Sequence, residues 1–182
     1  AYKIIDAVYH NIPYSINPTT GFEVVNNSIY FSDTSEKIIL TNINTEKSQI
    51  FSENIMASIS DVSILNGELL LATEKKIISI SSDVFKNKSE LFSRSDLQLK
   101  AYDNPFMEKT GIVTNYGDFY IYPMETKNGE LQKLHSGQFT PFTTSFTSPI
   151  ISADFINGDF ITLEKDGSVQ IINSYTGKSD FR

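Results

Sequence analysis

The feature that most constrains this chain is a strand pattern that recurs four times along its length. Each copy contains short apolar stretches, rich in β-branched and aromatic residues, that are separated by polar turns. The first copy runs from Ile29 to Phe51 and the last from Phe160 to Phe181. Because internal repeats constrain architecture before any single residue does, the pattern predicts a modular all-β fold.

Two landmarks give the length of the repeat. A turn between two of the strands falls at Ser35, Lys75, Gly117 and Gly167, in steps of 40, 42 and 50 residues. The residue that closes a later strand falls at Phe51, Phe92, Leu134 and Phe181, in steps of 41, 42 and 47 residues. Both series match the ~40–50 residues of a propeller blade. We attribute the longer last step to a loop at 136–149.

A further strand precedes each copy. It is clear at 22–25, 61–65 and 150–156, and in the third unit we place it near 98–102, before an insertion at 103–109. Asn66-Gly67 and Asn157-Gly158 follow two of these strands, and Asn-Gly between apolar runs is the strongest short signal for a β-hairpin. We therefore predict that each unit forms four antiparallel strands.

We predict an all-β β-propeller of four-stranded antiparallel blades, with about four blades present in one domain, 1–182. The predicted blades span residues 22–60, 61–97, 98–136 and 149–182, preceded by an N-terminal segment, 1–21. Three arrangements stay open. The chain forms a closed ring whose last blade is completed by Tyr2–Tyr9, or part of a larger ring, which we favour, or a homodimer joined through open blade faces.

Composition excludes several function classes. The net charge is −7, which opposes binding to the phosphate backbone of nucleic acids. The absence of cysteine removes disulfides, thiolate metal sites and cysteine nucleophiles. No apolar run approaches the ~20 residues of a membrane-spanning helix, so we expect no transmembrane segment.

Titratable residues give no catalytic pattern. His10 and His135 lie in different segments, and both are interpreted as surface loop residues. Most carboxylates recur at predicted turns, as Asp33, Glu36, Glu74, Asp118, Glu164 and Asp166. No Asp-x-Asp-x-Asp-Gly calcium loop is present. We therefore expect a protein that is not an enzyme and that has no catalytic residues, cofactor or metal.

Two stretches outside the repeat are candidate partner-binding segments. The segment 138–149 sets Phe139, Phe142 and Phe146 among threonine, serine and proline. The insertion 103–109 contains Phe106 and Met107. Exposed, these five side chains would form apolar patches that bind another protein. The alternative is that they pack against the blades.

A resemblance to a known family appears in the last unit. Residues 157–178 read Asn-Gly-Asp-Phe-Ile-Thr-Leu-Glu-Lys-Asp-Gly-Ser-Val-Gln-Ile-Ile-Asn-Ser-Tyr-Thr-Gly-Lys, which resembles the pyrroloquinoline-quinone-like (PQQ-like) propeller repeat. Residues 28–51 and 68–81 resemble it more weakly, and the likeness extends over 22–182. The blades are also WD40-like in length, although the chain has no tryptophan.

The resemblance carries a functional expectation. The family includes quinoprotein dehydrogenases, which are much longer, and the propeller lipoprotein of the bacterial outer-membrane β-barrel assembly machinery, which is the nearer likeness. It implies a non-enzymatic protein–protein interaction scaffold in the periplasm or at the outer membrane, acting in outer-membrane protein assembly. The alternative function is a small-molecule or carbohydrate-binding propeller, with or without enzymatic activity, whose site lies at the ring centre. An intracellular location is the alternative to the periplasm.

Overall fold

The structure is a computed structural model that describes side chains at 59–81, 98–126, 129–143 and 146–179, together with the strand backbone at 22–25, 28–32, 38–42, 48–52 and 180–181. Within these residues the chain is all-β and contains no helix. The strands are β1 Phe22–Val25, β2 Ser28–Ser32, β3 Ile38–Asn42, β4 Ser48–Ser52, β5 Ile59–Leu65, β6 Glu68–Thr73, β7 Lys76–Ser81, β8 Gln98–Asp103, β9 Thr110–Thr114, β10 Phe119–Pro123, β11 Gln132–His135, β12 Gln138–Pro141, β13 Ile150–Ile156, β14 Asp159–Glu164, β15 Val169–Asn173 and β16 Ser179–Phe181.

Consecutive strands form four separate antiparallel sheets of four strands each across these described ranges. The first sheet holds β1–β4, the second β5–β8, the third β9–β12 and the fourth β13–β16. Within each sheet, every strand pairs with its neighbour along the chain, and the connections are short except at 82–97 and 124–131. This arrangement is propeller-like, as the repeat predicts.

The Asn-Gly hairpins form where the sequence places them. Asn66 and Gly67 have φ angles of 50° and 77°, and Asn157 and Gly158 have 55° and 95°. A two-residue turn of this kind needs positive φ at both central positions, which asparagine and glycine tolerate best. The turns set the register of β5 against β6 and of β13 against β14.

The sheets meet along their first strands. The Ser60 hydroxyl at the start of β5 accepts the Thr110 N–H at 3.1 Å and donates to the Thr110 carbonyl at 2.7 Å. The neighbouring Asp61 carboxylate accepts the Ile112 N–H at 2.7 Å. These bonds tie the second sheet to the third through polar groups that are otherwise costly to bury.

Apolar side chains fill the spaces between sheets. Leu70, Ala72 and Ile77 of the second sheet pack against Ile112 and Ile121 of the third. A larger cluster joins the third sheet to the fourth, and its members are Val113, Tyr120, Tyr122, Leu131, Phe146, Ile150, Phe160 and Ile172. The second, third and fourth sheets thus each bury a face that they could not bury alone.

One sheet boundary differs from the sequence prediction. The strand that we placed near 98–102, at the start of the third unit, is β8, Gln98–Asp103. It instead pairs with Lys76–Ser81 and closes the second sheet. The third sheet then takes its fourth strand from Gln138–Pro141, which the sequence assigned to a loop. Apolar alternation identifies strands but does not say which neighbour each one pairs with.

The same shift explains why the turn landmarks are not all equivalent. Lys75 and Gly167 lie between the second and third strands of their sheets, whereas Gly117 lies between the first and second strands of the third sheet. Gly117 was grouped with the other turns by its spacing along the chain, although it lies one strand earlier in its sheet than Lys75 and Gly167 lie in theirs. Ser35, Phe92 and the segment Tyr2–Tyr9 lie outside the described residues.

Candidate partner-binding surface

The insertion between the second and third sheets is a tightly bonded loop. Asn104 is buried, and its side-chain amide donates to the Thr73 carbonyl at 2.9 Å and to the Thr110 hydroxyl at 2.8 Å. Its side-chain oxygen accepts the Phe106 N–H at 3.0 Å. Phe106 is therefore drawn in against the apolar cluster between these sheets. Met107 has a φ of 55° and points outward with 64% of its surface exposed.

The three phenylalanines of segment 138–149 lie in different environments. Phe139 is half-buried on β12 and contacts Tyr102 and Phe119 edge-on. Phe142 is also half-buried, with its ring 4.9 Å from that of Tyr120. Phe146 is buried in the core between the third and fourth sheets. Of the five predicted partner-binding residues, Met107 is the one that the structure leaves largely exposed.

The titratable residues that the sequence places at turns are exposed or half-buried where the structure describes them, except Glu164. His135 is exposed at the end of β11, and Glu74 is exposed between β6 and β7. Hydrogen bonds from the Ser168 hydroxyl and N–H lower the pKa of the Asp166 carboxyl. Glu164 instead is fully buried and accepts the Ser148 N–H at 3.0 Å as well as the Gln170 amide. His10, Asp33 and Glu36 lie outside the described residues.

The first strands of the second, third and fourth sheets surround a buried tyrosine. Burial raises the pKa of the Tyr122 phenol well above its usual range, and the Asp61 charge raises it further. A backbone hydrogen bond from Ala153 acts in the opposite direction, and Asp154 raises the pKa again. The Tyr122 side chain is buried in the cluster that joins the third sheet to the fourth.

Carboxylates near this tyrosine do not form a metal centre in the part of the chain that the structure describes. There, no group of three or more histidine, cysteine, aspartate or glutamate side chains is placed to hold an ion. The Asp61 carboxylate already accepts the N–H groups of Val62 and Ile112, at 2.8 and 2.7 Å. The described residues also contain no helix that could cross a bilayer.

Two tyrosines that the sequence analysis did not select are the most exposed large hydrophobic side chains among the described residues. Tyr116, on the β9–β10 turn, is 87% exposed, and Tyr175, on the β15–β16 turn, is 91% exposed. Such exposure is unusual for a side chain that offers so much apolar surface. Aromatic residues in turns, where no core face requires them, were the available sequence signal.

Both turns are held by an asparagine side chain. The Asn115 oxygen accepts the Asp118 N–H at 3.1 Å and the Gly117 N–H at 3.4 Å. The Asn173 oxygen accepts the N–H groups of Tyr175 and Thr176, each at 3.1 Å. Asparagine side chains that mimic a backbone turn in this way fix the loop without help from the core.

The two turns belong to one surface. The Tyr116 ring packs edge-on against Phe155, near the end of β13, with 5.2 Å between the centroids. Phe155 lies two residues before the Asn157-Gly158 turn, and the Ser174 hydroxyl beside Tyr175 donates to the Gly158 carbonyl at 2.5 Å. We call the surface that carries Tyr116, Tyr175 and the Asn157-Gly158 turn the tyrosine surface.

Comparison with known proteins supports the fold. No family model and no curated protein matches the sequence. A chain of the mitotic checkpoint complex superposes over 100% of this chain and 58% of its own length, with a TM-score of 0.63 and 8% identity. The computationally designed Ika4 protein matches over 91% of this chain and 95% of its own, with a TM-score of 0.59 and 10% identity.

A bacterial protein shares the same architecture. PorZ, an essential surface component of the type-IX secretion system of Porphyromonas gingivalis, matches over 91% of this chain and 20% of its own length. The TM-score is 0.57 and the identity 12%. At such identities the likeness concerns the propeller-like fold alone. The chain spans somewhat more than half the length of the checkpoint protein chain that it resembles.

Proposed function

We propose that this chain is a non-enzymatic interaction scaffold that binds another protein through the tyrosine surface. The observation that carries the proposal is the pair Tyr116 and Tyr175, both almost fully exposed on turns that asparagine side chains hold in place. Tyrosine has only two side-chain torsions, so it provides a large contact area at a small cost in conformational entropy. Interface hot spots are enriched in this residue.

The experiment begins with a photo-crosslinking amino acid at position 116 or 175, which identifies the protein that contacts the surface in cells. The affinity of that purified partner is then measured for the Tyr116→Ser/Tyr175→Ser variant. Loss of two hot-spot residues is expected to weaken binding about 30-fold or more. Leu99→Ser, at an exposed apolar residue of β8, is the matched control and is expected to bind normally. Equal affinity of the tyrosine variant and the native chain would contradict the proposal.

The cellular setting that we propose comes from the resemblance of 157–178 to the PQQ-like repeat. On that basis we propose that the scaffold acts in the periplasm or at the outer membrane, in the assembly of outer-membrane proteins, like the propeller lipoprotein of that machinery. Cell fractionation of the native protein tests it, and recovery in the cytoplasm would overturn it.

Met107 and the four predicted phenylalanines enter the proposal in different ways. Met107 is exposed and remains a candidate contact on a second, smaller surface. Phe106, Phe139 and Phe142 are half-buried, and Phe146 is buried, so we propose that they hold the sheets together. A Met107→Ser variant in the same binding assay shows whether the insertion adds to the interface.

A second candidate function is the binding of a small molecule or carbohydrate at the ring centre. The observation in its favour is the Tyr122 phenol beside Asp61 and Asp154. A ligand that used these groups would raise the melting temperature of the native chain but not that of Asp154→Asn. A screen of sugars and small acids in which nothing shifts the melting temperature removes this candidate.

A further inference from the structure

The middle strands show which sheet faces are covered. In the second sheet, Leu69, Leu70, Leu71 and Ala72 follow one another along β6 and are all buried, so both faces of that strand are packed. In the third sheet the same holds for Tyr120, Ile121 and Tyr122 of β10. A strand that is continuously apolar and buried has a packed layer on each side.

The fourth sheet departs from this pattern. On β14, Phe160, Thr162 and Glu164 are buried, whereas the alternate residues Ile161 and Leu163 are not. Successive side chains of a strand point to opposite faces, so one face of the sheet packs on the third sheet and the other is open. We call this other side the open face.

The open face is apolar at two neighbouring residue pairs of β14 and β15. Leu163 pairs with Val169, and Ile161 pairs with Ile171. Leu163 and Val169 are 39% and 42% exposed, and Ile156 on β13 is 45% exposed. Four of the eight exposed large apolar residues in the described part of the chain, Ile151, Ile156, Leu163 and Val169, lie on strands of the fourth sheet. Asp154 and Asp159 lie on the same face, between Ile156 and the four residues of these two pairs, so the face is aliphatic at its centre and acidic towards β13. Exposed aliphatic residues that lie together in this way mark an interaction surface.

We propose that the open face packs against the first sheet of a second copy of this chain. The proposal rests on the proposed scaffold function and names one of its partners. Within the chain, the third sheet covers one face of the second sheet, and the fourth sheet covers the corresponding face of the third. The first sheet contacts β5 of the second sheet, and so lies at the opposite end of this series from the fourth sheet.

A second copy continues the series by the same kind of contact. Its first sheet takes the place that would follow the fourth sheet, and the two copies form two equivalent joints that close on each other. The result is a ring of eight sheets, within the ~4–8 blades that propellers contain. Sheet-on-sheet packing of this type is already the contact that holds the second, third and fourth sheets together.

The test is the molar mass of the full 182-residue chain by size-exclusion chromatography with light scattering, over a wide concentration range. We expect twice the mass of a single chain. The Leu163→Lys/Val169→Lys variant places two charges on the open face, and the dimer dissociation constant is expected to rise about 100-fold or more. Leu99→Lys is the matched control, because Leu99 is exposed on the second sheet, and it is expected to remain dimeric.

Circular dichroism confirms that each variant keeps its β-sheet signal. A native chain that stays monomeric at every concentration overturns the proposal, and so does a folded Leu163→Lys/Val169→Lys variant that dimerises like the native chain. The tyrosine surface is tested separately, since Tyr116→Ser/Tyr175→Ser is expected to leave the mass unchanged. The two proposals can therefore fail independently.

Discussion

Gly111 on β9 is the position at which a single added methyl group tests the packing most directly. It lies opposite Tyr122 in the register of β9 and β10. A Cβ atom at Gly111 would stand 2.1 Å from Cζ of Tyr122, 2.4 Å from its hydroxyl oxygen and 2.6 Å from Cε2. The ring therefore occupies the space that any other residue would need, and we expect Gly111→Ala to be strongly destabilising.

The magnitude follows from how far the ring has to move. Carbon atoms in contact prefer a separation of about 3.5–4.0 Å, so the ring would have to move by roughly 1.5 Å. Tyr122 is packed with Val113, Leu131 and Phe160, and the move would also strain its hydrogen bond to the Ala153 backbone. Overpacking in a dense core costs typically about 1–3 kcal/mol. We expect a loss at the upper end, about 3 kcal/mol.

The assay is equilibrium unfolding in urea. With a slope of about 2 kcal/mol/M, a loss of about 3 kcal/mol lowers the midpoint by about 1.5 M. Gly117→Ala is the matched control, because a Cβ atom there meets nothing within 4 Å. We expect its free energy of unfolding to lie within about 1 kcal/mol of the native value.

A double-mutant cycle identifies the cause. When Tyr122 is first replaced by alanine, the clash is absent, and Gly111→Ala should then cost almost nothing. Tyr122→Ala alone should cost about 3–5 kcal/mol through the cavity that it leaves. An equal cost of Gly111→Ala with and without the Tyr122 ring would refute this reasoning, as would equal effects at Gly111 and Gly117.

Two further predictions concern charged and titratable groups in the same region. Asp61→Ala leaves the N–H groups of Val62 and Ile112 without their acceptor, so it should lower the free energy of unfolding by about 2–3 kcal/mol. Asp103→Ala removes an exposed ion pair with Lys76 and should lower it by less than about 1 kcal/mol in the same urea assay. Burial raises the pKa of Tyr122 above its ordinary value of 10.0, so above about pH 10 the unfolded chain loses a proton that the folded chain keeps. Stability should therefore fall as the pH rises, by up to about 1.4 kcal/mol per pH unit for this group, and Tyr122→Phe should reduce the slope measured by urea unfolding in alkaline buffers. An unchanged slope in Tyr122→Phe would mean that the phenol ionises alike in both states.

The sequence predicted structural features that depend on neighbouring residues better than features that depend on residues far apart in the chain. The hairpins at Asn66-Gly67 and Asn157-Gly158 were predicted correctly because a tight turn needs positive φ in adjacent residues, which is a local demand. The assignment of the strand near 98–102 to the third unit was wrong because its partner β7 is separated from it by residues 82–97. Local pattern does not identify a partner at that distance.

The candidate surface shows the same limit. Phe146 and Tyr116 are both aromatic residues in connecting segments, and composition does not separate them. The structure buries Phe146 between two sheets and leaves Tyr116 on the outside of a turn. That difference depends on where the third and fourth sheets meet. The role of Gly111 was likewise invisible, since it depends on the Tyr122 side chain across the strand pair.

By itself, the sequence determined the alternation of strands and turns, the all-β class and the exclusion of cysteine chemistry, because these follow from residue types and their local spacing. Tertiary structure alone decided which strands share a sheet, which aromatic side chains are buried and which face of the fourth sheet remains open. Those features arise from packing between residues distant in the chain. A sheet face is covered only when a second layer arrives, and no local pattern specifies that layer.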